Sequence, residues 1–168
     1  MQHVDTIILG GGLIGLTTAL ALDAHGISSI VVDPAPPATT LADSFDGRAS
    51  AIASASWSML EAIGIAGTLR PHGCPIRRIE VRDGLQHDSL DFTASQDVPL
   101  GTMVENRVLR RVLHAAADKA ASVTLKIPDG ATDVVRDAHG VMATLDDDSV
   151  WRGDVLIAAE GQIGRAHV

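Results

Sequence analysis

The chain has 168 residues, 46% hydrophobic and only 2% aromatic with no tyrosine, and carries a formal net charge of −8. That composition excludes a disordered chain, and the acidic balance lacks the basic face that nucleic-acid phosphates require. The core must be built from Ala, Val, Leu and Ile, which suits an α/β protein of one domain, or one domain and part of another.

Residues 4–9 are a short β-rich apolar run and predict a buried strand. Gly10, Gly11 and Gly12 make a turn, and residues 13–25 carry good helix formers that Gly26 stops. Residues 28–32 read as a second buried strand closed by Asp33, after which PAPPATT breaks regular structure. Strand, glycine turn, helix and strand within about 30 residues make a βαβ unit with a parallel pair. The apolar stretch TIILGGGLIGLTTALAL also admits a signal peptide or membrane anchor, but Asp5 stands where a basic residue should precede it.

Residues 49–63 read as a helix. Residues 76–81 and 89–92 alternate apolar and polar around RDGLQHD and predict a hairpin. The single cysteine, Cys74, falls in PHGCPIR, a predicted loop; one thiol permits no internal disulfide and fits a reducing, cytoplasmic setting. Residues 105–120 form a strong helix and 123–127 a further strand. Residues 132–136, 141–145 and 149–152, separated by DAHG and DDD, predict a three-stranded antiparallel meander, and 155–159 a last buried strand. The acidic run Asp146, Asp147 and Asp148 is a solvated hairpin turn, since nothing nearby completes a ligand set for a metal. The histidines form no H-x-x-x-H pair, so no metal site is assigned. No catalytic acid, base or nucleophile emerges from spacing. Trp57 reads as packing.

Gly10, Gly12 and Gly15 stand in G-x-G-x-x-G spacing between a strand and a helix. Gly10 permits the tight turn, Gly12 lets a pyrophosphate approach the backbone, and Gly15 lets helix and strand pack closely. The helix N-terminus points free N–H groups and its positive dipole end at the phosphates. Asp33, closing the second strand, accepts hydrogen bonds from a ribose hydroxyl pair and disfavours a 2′-phosphate. These features indicate a dinucleotide without choosing between FAD and NAD.

Further along, Asp46, Gly47 and Arg48 lead into a small-residue helix, and Ser56, Leu60, Glu61 and Gly64 follow the pattern S-x-x-x-L-E-x-x-G. VENRVLRRVL and GDVLIAAEG complete a set of motifs spanning residues 4–161. The set resembles the FAD-dependent aromatic hydroxylases, and within them the ubiquinone-biosynthesis hydroxylases. The resemblance implies a Rossmann-like FAD-binding domain with a βαβ parallel sheet and an antiparallel meander, interrupted at about 70–104 by the start of a substrate-domain sheet. It implies that Arg48 sits over the cofactor pyrophosphate and that Arg107 reaches the cofactor from its helix. It also implies FAD as cofactor, NAD(P)H as reductant, and O2 with a phenolic, polyprenylated ring as substrates. Peripheral work at the inner membrane, in a homo-oligomer or a ubiquinone-biosynthesis complex, follows from the same resemblance.

The chain departs from the family at Asp33, where Glu is usual, and at Glu160, where Asp is usual. The family's later G-D-A-A-H motif does not occur. An N-terminal fragment, inactive alone, is therefore expected. The segment IGRAHV back-translates into the start of a common sequencing adapter, so residues 162–168 are expected to be a non-native tail. Two other readings stay open: the nucleotide-binding domain of an NAD-dependent dehydrogenase, and a non-catalytic truncated product.

Overall fold

A computed structural model describes residues 1–42, 44, 47–84, 89–95 and 98–161. Asp46 and the expected tail, 162–168, lie outside the described residues. The chain divides into two compact units, Met1–Asp43 with Arg110–Val168, and Ser44–Leu109.

The first unit is built on a six-stranded sheet. Its strands are β1 (Gln2–Leu9), β2 (Ser29–Val32), β8 (Val123–Lys126), β9 (Ala131–Asp137), β10 (Gly140–Leu145) and β11 (Val150–Ala158). They stand in the order β8-β2-β1-β11-β10-β9. The β8, β2, β1 and β11 pairings are parallel, while β10 pairs antiparallel with β11 and with β9. Every residue of β2 is buried, the signature of a strand covered on both faces. Helix α1 (Leu13–Asp23) packs against β1, β2 and β8, burying Leu16, Ala19 and Leu20. Across the sheet, Val4, Ile7, Ile30, Val141, Leu145 and Trp151 form one buried apolar cluster.

Two sequence expectations merge here. Residues 149–152 and 155–159 are one strand, not two. Gly153-Asp154 reads as a break, yet Gly153 passes through a crowded point: a Cβ there would lie 3.0 Å from Ile7 Cγ1. The strand therefore runs on, its first half paired to β10 and its whole length to β1. The acidic run is the turn before it, with Asp148 at φ 62°. Lys126 Nζ donates to Asp147 Oδ2 at 2.5 Å, and the Ser149 N–H to Asp147 Oδ1 at 2.9 Å. Those bonds, the lysine first, hold the Asp147 carboxyl well below the usual carboxylate range. At the start of β1, Asp5 Oδ2 accepts from the Ser28 hydroxyl (2.6 Å) and the Ser28 N–H (2.7 Å), which lowers the Asp5 pKa. PAPPATT does not break all structure: Pro37–Thr40 forms one helical turn, α2, with proline in its first turn.

The second unit contains β3 (Ala49–Ala53), α3 (Ser54–Ala62), α4 (Ala66–Leu69), a 3-10 turn (Arg70–His72), β4 (Cys74–Ile76), β5 (Arg78–Arg82), β6 (Ser89–Thr93) and β7 (Gly101–Glu105). Helix α5 (Asn106–Ala117) begins in this unit and continues in the first. Here the helix expected over 49–63 is corrected: only Ser54–Ala62 is helical, and Ala49–Ala53 is a strand. Ala-Ser-Ala-Ile-Ala carries good helix formers, but its backbone pairs antiparallel with β7. Gly101 makes that approach feasible, since a Cβ there would lie 2.5 Å from the Ile52 carbonyl oxygen. β7 had no counterpart in the sequence reading, which began a helix at 105; the helix starts one residue later. Cys74 opens the short strand β4 instead of lying in a loop; it is exposed and pairs opposite Met103. The expected hairpin is present as β5 and β6, with Ile76 belonging to β4. No helix among the described residues is long and apolar enough to cross a membrane.

Candidate functional site

Leu9 and Val32 are register partners at the ends of β1 and β2, so two parallel strands deliver the glycine turn and Asp33 to one edge of the sheet. The Gly10 N–H donates to the Val32 carbonyl at 2.7 Å. Gly10 has φ 109°, a conformation closed to L side chains, and a Cβ there would lie 2.5 Å from the Ala159 carbonyl oxygen. The Ala159 N–H in turn donates to the Leu9 carbonyl at 2.7 Å, so the segment after β11 lies beside the turn. Gly15 is as constrained: its Cβ would lie 1.8 Å from the Gly10 carbonyl oxygen.

Gly12 differs from both. It is the N-cap of α1, and a Cβ on it would meet nothing within 4 Å. Leu16 N–H bonds back to the Gly12 carbonyl at 3.0 Å, the first bond of the helix. The N–H groups ahead of it have no turn to bond to, and no acidic residue stands in the first turn to occupy them. An open backbone face with outward donors at the positive end of a helix fits a pyrophosphate.

Asp33 is half-buried and already engaged. Its Oδ2 accepts from the Gly11 N–H at 2.6 Å and its Oδ1 from the Ala35 N–H at 2.8 Å. A carboxylate offers about four lone-pair sites, so room remains for a ribose hydroxyl pair. Gly11, Asp33, Thr40, Arg110, His114 and Ile127 line a narrow cleft beside the turn.

Gly10, Gly12, Gly15 and Asp33 thus form one constellation in the first unit. Arg48 and Arg107 form another in the second. The Asn106 N–H donates to the Arg48 carbonyl at 3.1 Å, and Asn106 Oδ1 accepts from the Ser50 hydroxyl at 2.6 Å. The two arginines therefore flank one corner, where β3 begins and β7 gives way to α5. Arg48 is exposed; Arg107 is half-buried, and its Nε donates to Glu105. Trp57, read as packing, is half-buried on the wall of a separate cavity of about 430 Å³ in this unit. The Arg70 guanidinium lies 5.9 Å from its ring centroid and donates to Glu61 at 2.7 Å. Among the described residues no cluster of His, Cys, Asp and Glu is suited to a metal ion.

Sequence reasoning missed Gly11 as the donor to Asp33, and Arg110, His114 and Ile127 as cleft residues. A signal for two of them was present: Arg110 and His114 stand four apart on a helix, on one face.

The family described as FAD binding domain matches residues 3–166. The chain belongs to that family. Its cofactor is FAD, so the open face at Gly12 and the Asp33 carboxylate belong to an FAD-binding domain. The chain is 39% identical over 159 residues to ubiquinone hydroxylase UbiL of Rhodospirillum rubrum, covering 94% of this chain and 37% of that protein. It is 34% identical over 163 residues to 3-demethoxyubiquinol 3-hydroxylase of Escherichia coli, covering 95% of this chain and 42% of that protein. The structure of a mutant of P. aeruginosa PqsL matches with a TM-score of 0.77 and 26% identity, over 95% of this chain and 43% of that one. The FAD-binding domain described here therefore spans about two-fifths of the length of the curated relatives it matches.

Proposed function

We propose that the full-length protein is an FAD-dependent monooxygenase that hydroxylates a phenolic ring in ubiquinone biosynthesis, using O2 and NAD(P)H. The observation that supports this best is the joint one: a glycine turn and Asp33 arranged for an ADP moiety, in a chain 39% identical to a ubiquinone hydroxylase. Gly10, Gly12, Gly15 and Asp33 hold the ADP half of the cofactor. Arg48 and Arg107 act further along it, one as a planar bidentate head for phosphate and the other from the first turn of its helix. Bound FAD supplies the redox chemistry; the protein orients the ring against it and keeps water out. Residues at about 70–104 begin the substrate domain. A polyprenylated substrate calls for peripheral contact with the inner membrane, from the cytoplasmic side. The 168-residue chain alone does not turn over, because the family's flavin-end motif G-D-A-A-H does not occur in it.

The test is to supply the full-length protein with FAD, NADH or NADPH, O2 and a polyprenylated phenol in detergent, and to follow product mass. A product heavier by one oxygen, dependent on FAD, is expected. Oxidation of NADH without FAD, giving a reduced carbonyl product, would replace the reading with that of a dehydrogenase.

A further inference from the structure

We infer that Arg110 and His114 bind the adenosine diphosphate half of the cofactor beside the glycine turn. The inference rests on the reading of that turn as the ADP site. Both residues line the same narrow cleft as Gly11 and Asp33. They sit on α5 beside its buried stripe of Leu109, Leu113 and Ala117, and both are half-buried, whereas the neighbouring Arg111 is exposed. One turn separates them, about 6 Å along the helix axis, which matches adjacent groups of one ligand and not two separate sites.

The charges in the cleft call for this assignment. Among the described residues Asp33 is the only acid lining it, and a diphosphate adds further negative charge beside that carboxylate in a chain already at −8. The first turn of α1 contributes N–H groups and no cationic side chain. Arg110 is the one permanently charged cation among the described cleft residues, and its planar fork suits phosphate or ribose oxygens. His114 adds a flat ring with a donor nitrogen. Leu16, Ala35, Leu41 and Ile127 supply the apolar remainder of the lining.

The experiment is calorimetric titration of the intact chain with ADP, and separately with riboflavin. The variants are Arg110→Gln, Arg110→Lys, His114→Ala and, as control, the exposed Arg111→Gln. Thermal melts report whether each variant folds. Arg110→Gln is expected to weaken ADP binding at least about tenfold, as loss of a charge-assisted bond does. Arg110→Lys should recover part of the loss. Arg111→Gln should stay within twofold of the parent, and riboflavin should respond to none of the variants. ADP affinity within twofold of the parent in both folded Arg110→Gln and His114→Ala overturns the inference and leaves the proposed ADP site standing. If Arg110→Gln fails to fold, the decision passes to Arg110→Lys and His114→Ala, and parental affinity in both overturns it. A parent chain that binds no ADP at all overturns both the inference and the site on which it rests.

Discussion

The Gly11 N–H donates to Asp33 Oδ2 across 2.6 Å, so the carboxylate that closes the second strand also pins the middle of the glycine turn. Asp33 therefore has a structural role in addition to its expected one on a ribose. Asp33→Ala should cost about 1.5–3 kcal/mol, the range for hydrogen bonds to a charged group, and should weaken FAD binding by more than the ribose contact alone. Denaturant unfolding and an FAD titration on the same variant read the two effects separately. Unchanged stability would mean that the turn holds itself.

Gly12 and Gly15 provide a contrasting pair. A methyl group on Gly12 meets nothing within 4 Å, while one on Gly15 collides with the Gly10 carbonyl oxygen. Gly12→Ala should melt within about 1 kcal/mol of the parent, the scale of a backbone-entropy change, yet lose FAD by blocking the phosphate approach. Gly15→Ala should lose several kcal/mol, about 3 or more, because backbone must move. Thermal melts with and without FAD separate the two patterns.

Acid should loosen the first unit. Ser28 holds the Asp5 pKa low, the His139 N–H and then Arg152 do so for Asp137, and Lys126 does so for Asp147. Each carboxyl binds its proton less readily folded than unfolded. Its contribution is complete above the ordinary carboxylate value of about 4 and is lost as pH falls through the lower folded value. Melting temperature should therefore hold near neutrality and decline below about pH 4, and Asp5→Asn should flatten that decline. A melting temperature that rises on acidification would contradict this assignment.

Trp57 and Trp151 report on different places. Trp151 is buried in the sheet core, whereas Trp57 lies on a cavity wall near Arg70. Arg70→Ala should change Trp57 emission, leave Trp151 unaffected, and cost at most about 1 kcal/mol, typical of an exposed cation–π contact. Repeating the comparison in Trp57→Phe, where the spectral change should vanish, checks the assignment.

The βαβ unit was legible because its signals are local: a β-rich run, a glycine turn, a helix and an acid, each next to its neighbour in sequence. The second unit was harder to read. Ala49–Ala53 carries helix formers, and its strand state is decided by β7, some fifty residues away. β7 itself, GTMVE, is too short and too mixed to announce a strand. β11 was divided in two because Gly153-Asp154 has turn composition, and only the nearness of Ile7 explains a glycine there. At the site, the glycines and Asp33 were readable from spacing. The Gly11 bond was not, since backbone donors leave no trace in side-chain identity.

β11 lies between β1 and β10, with Gln2 opposite Trp151 and Leu9 opposite Ala158. This has a consequence for synthesis. β1 leaves the ribosome well over a hundred residues before β11, the strand that pairs its second edge. Closing so long an intervening loop is entropically costly and slow. Until then β1 exposes a row of unpaired backbone groups flanked by Ile7 and Ile8, open to a neighbouring nascent chain. Yield from cells should therefore depend on how quickly translation reaches the 150s, and slow codons between residues 120 and 150 should favour inclusion bodies.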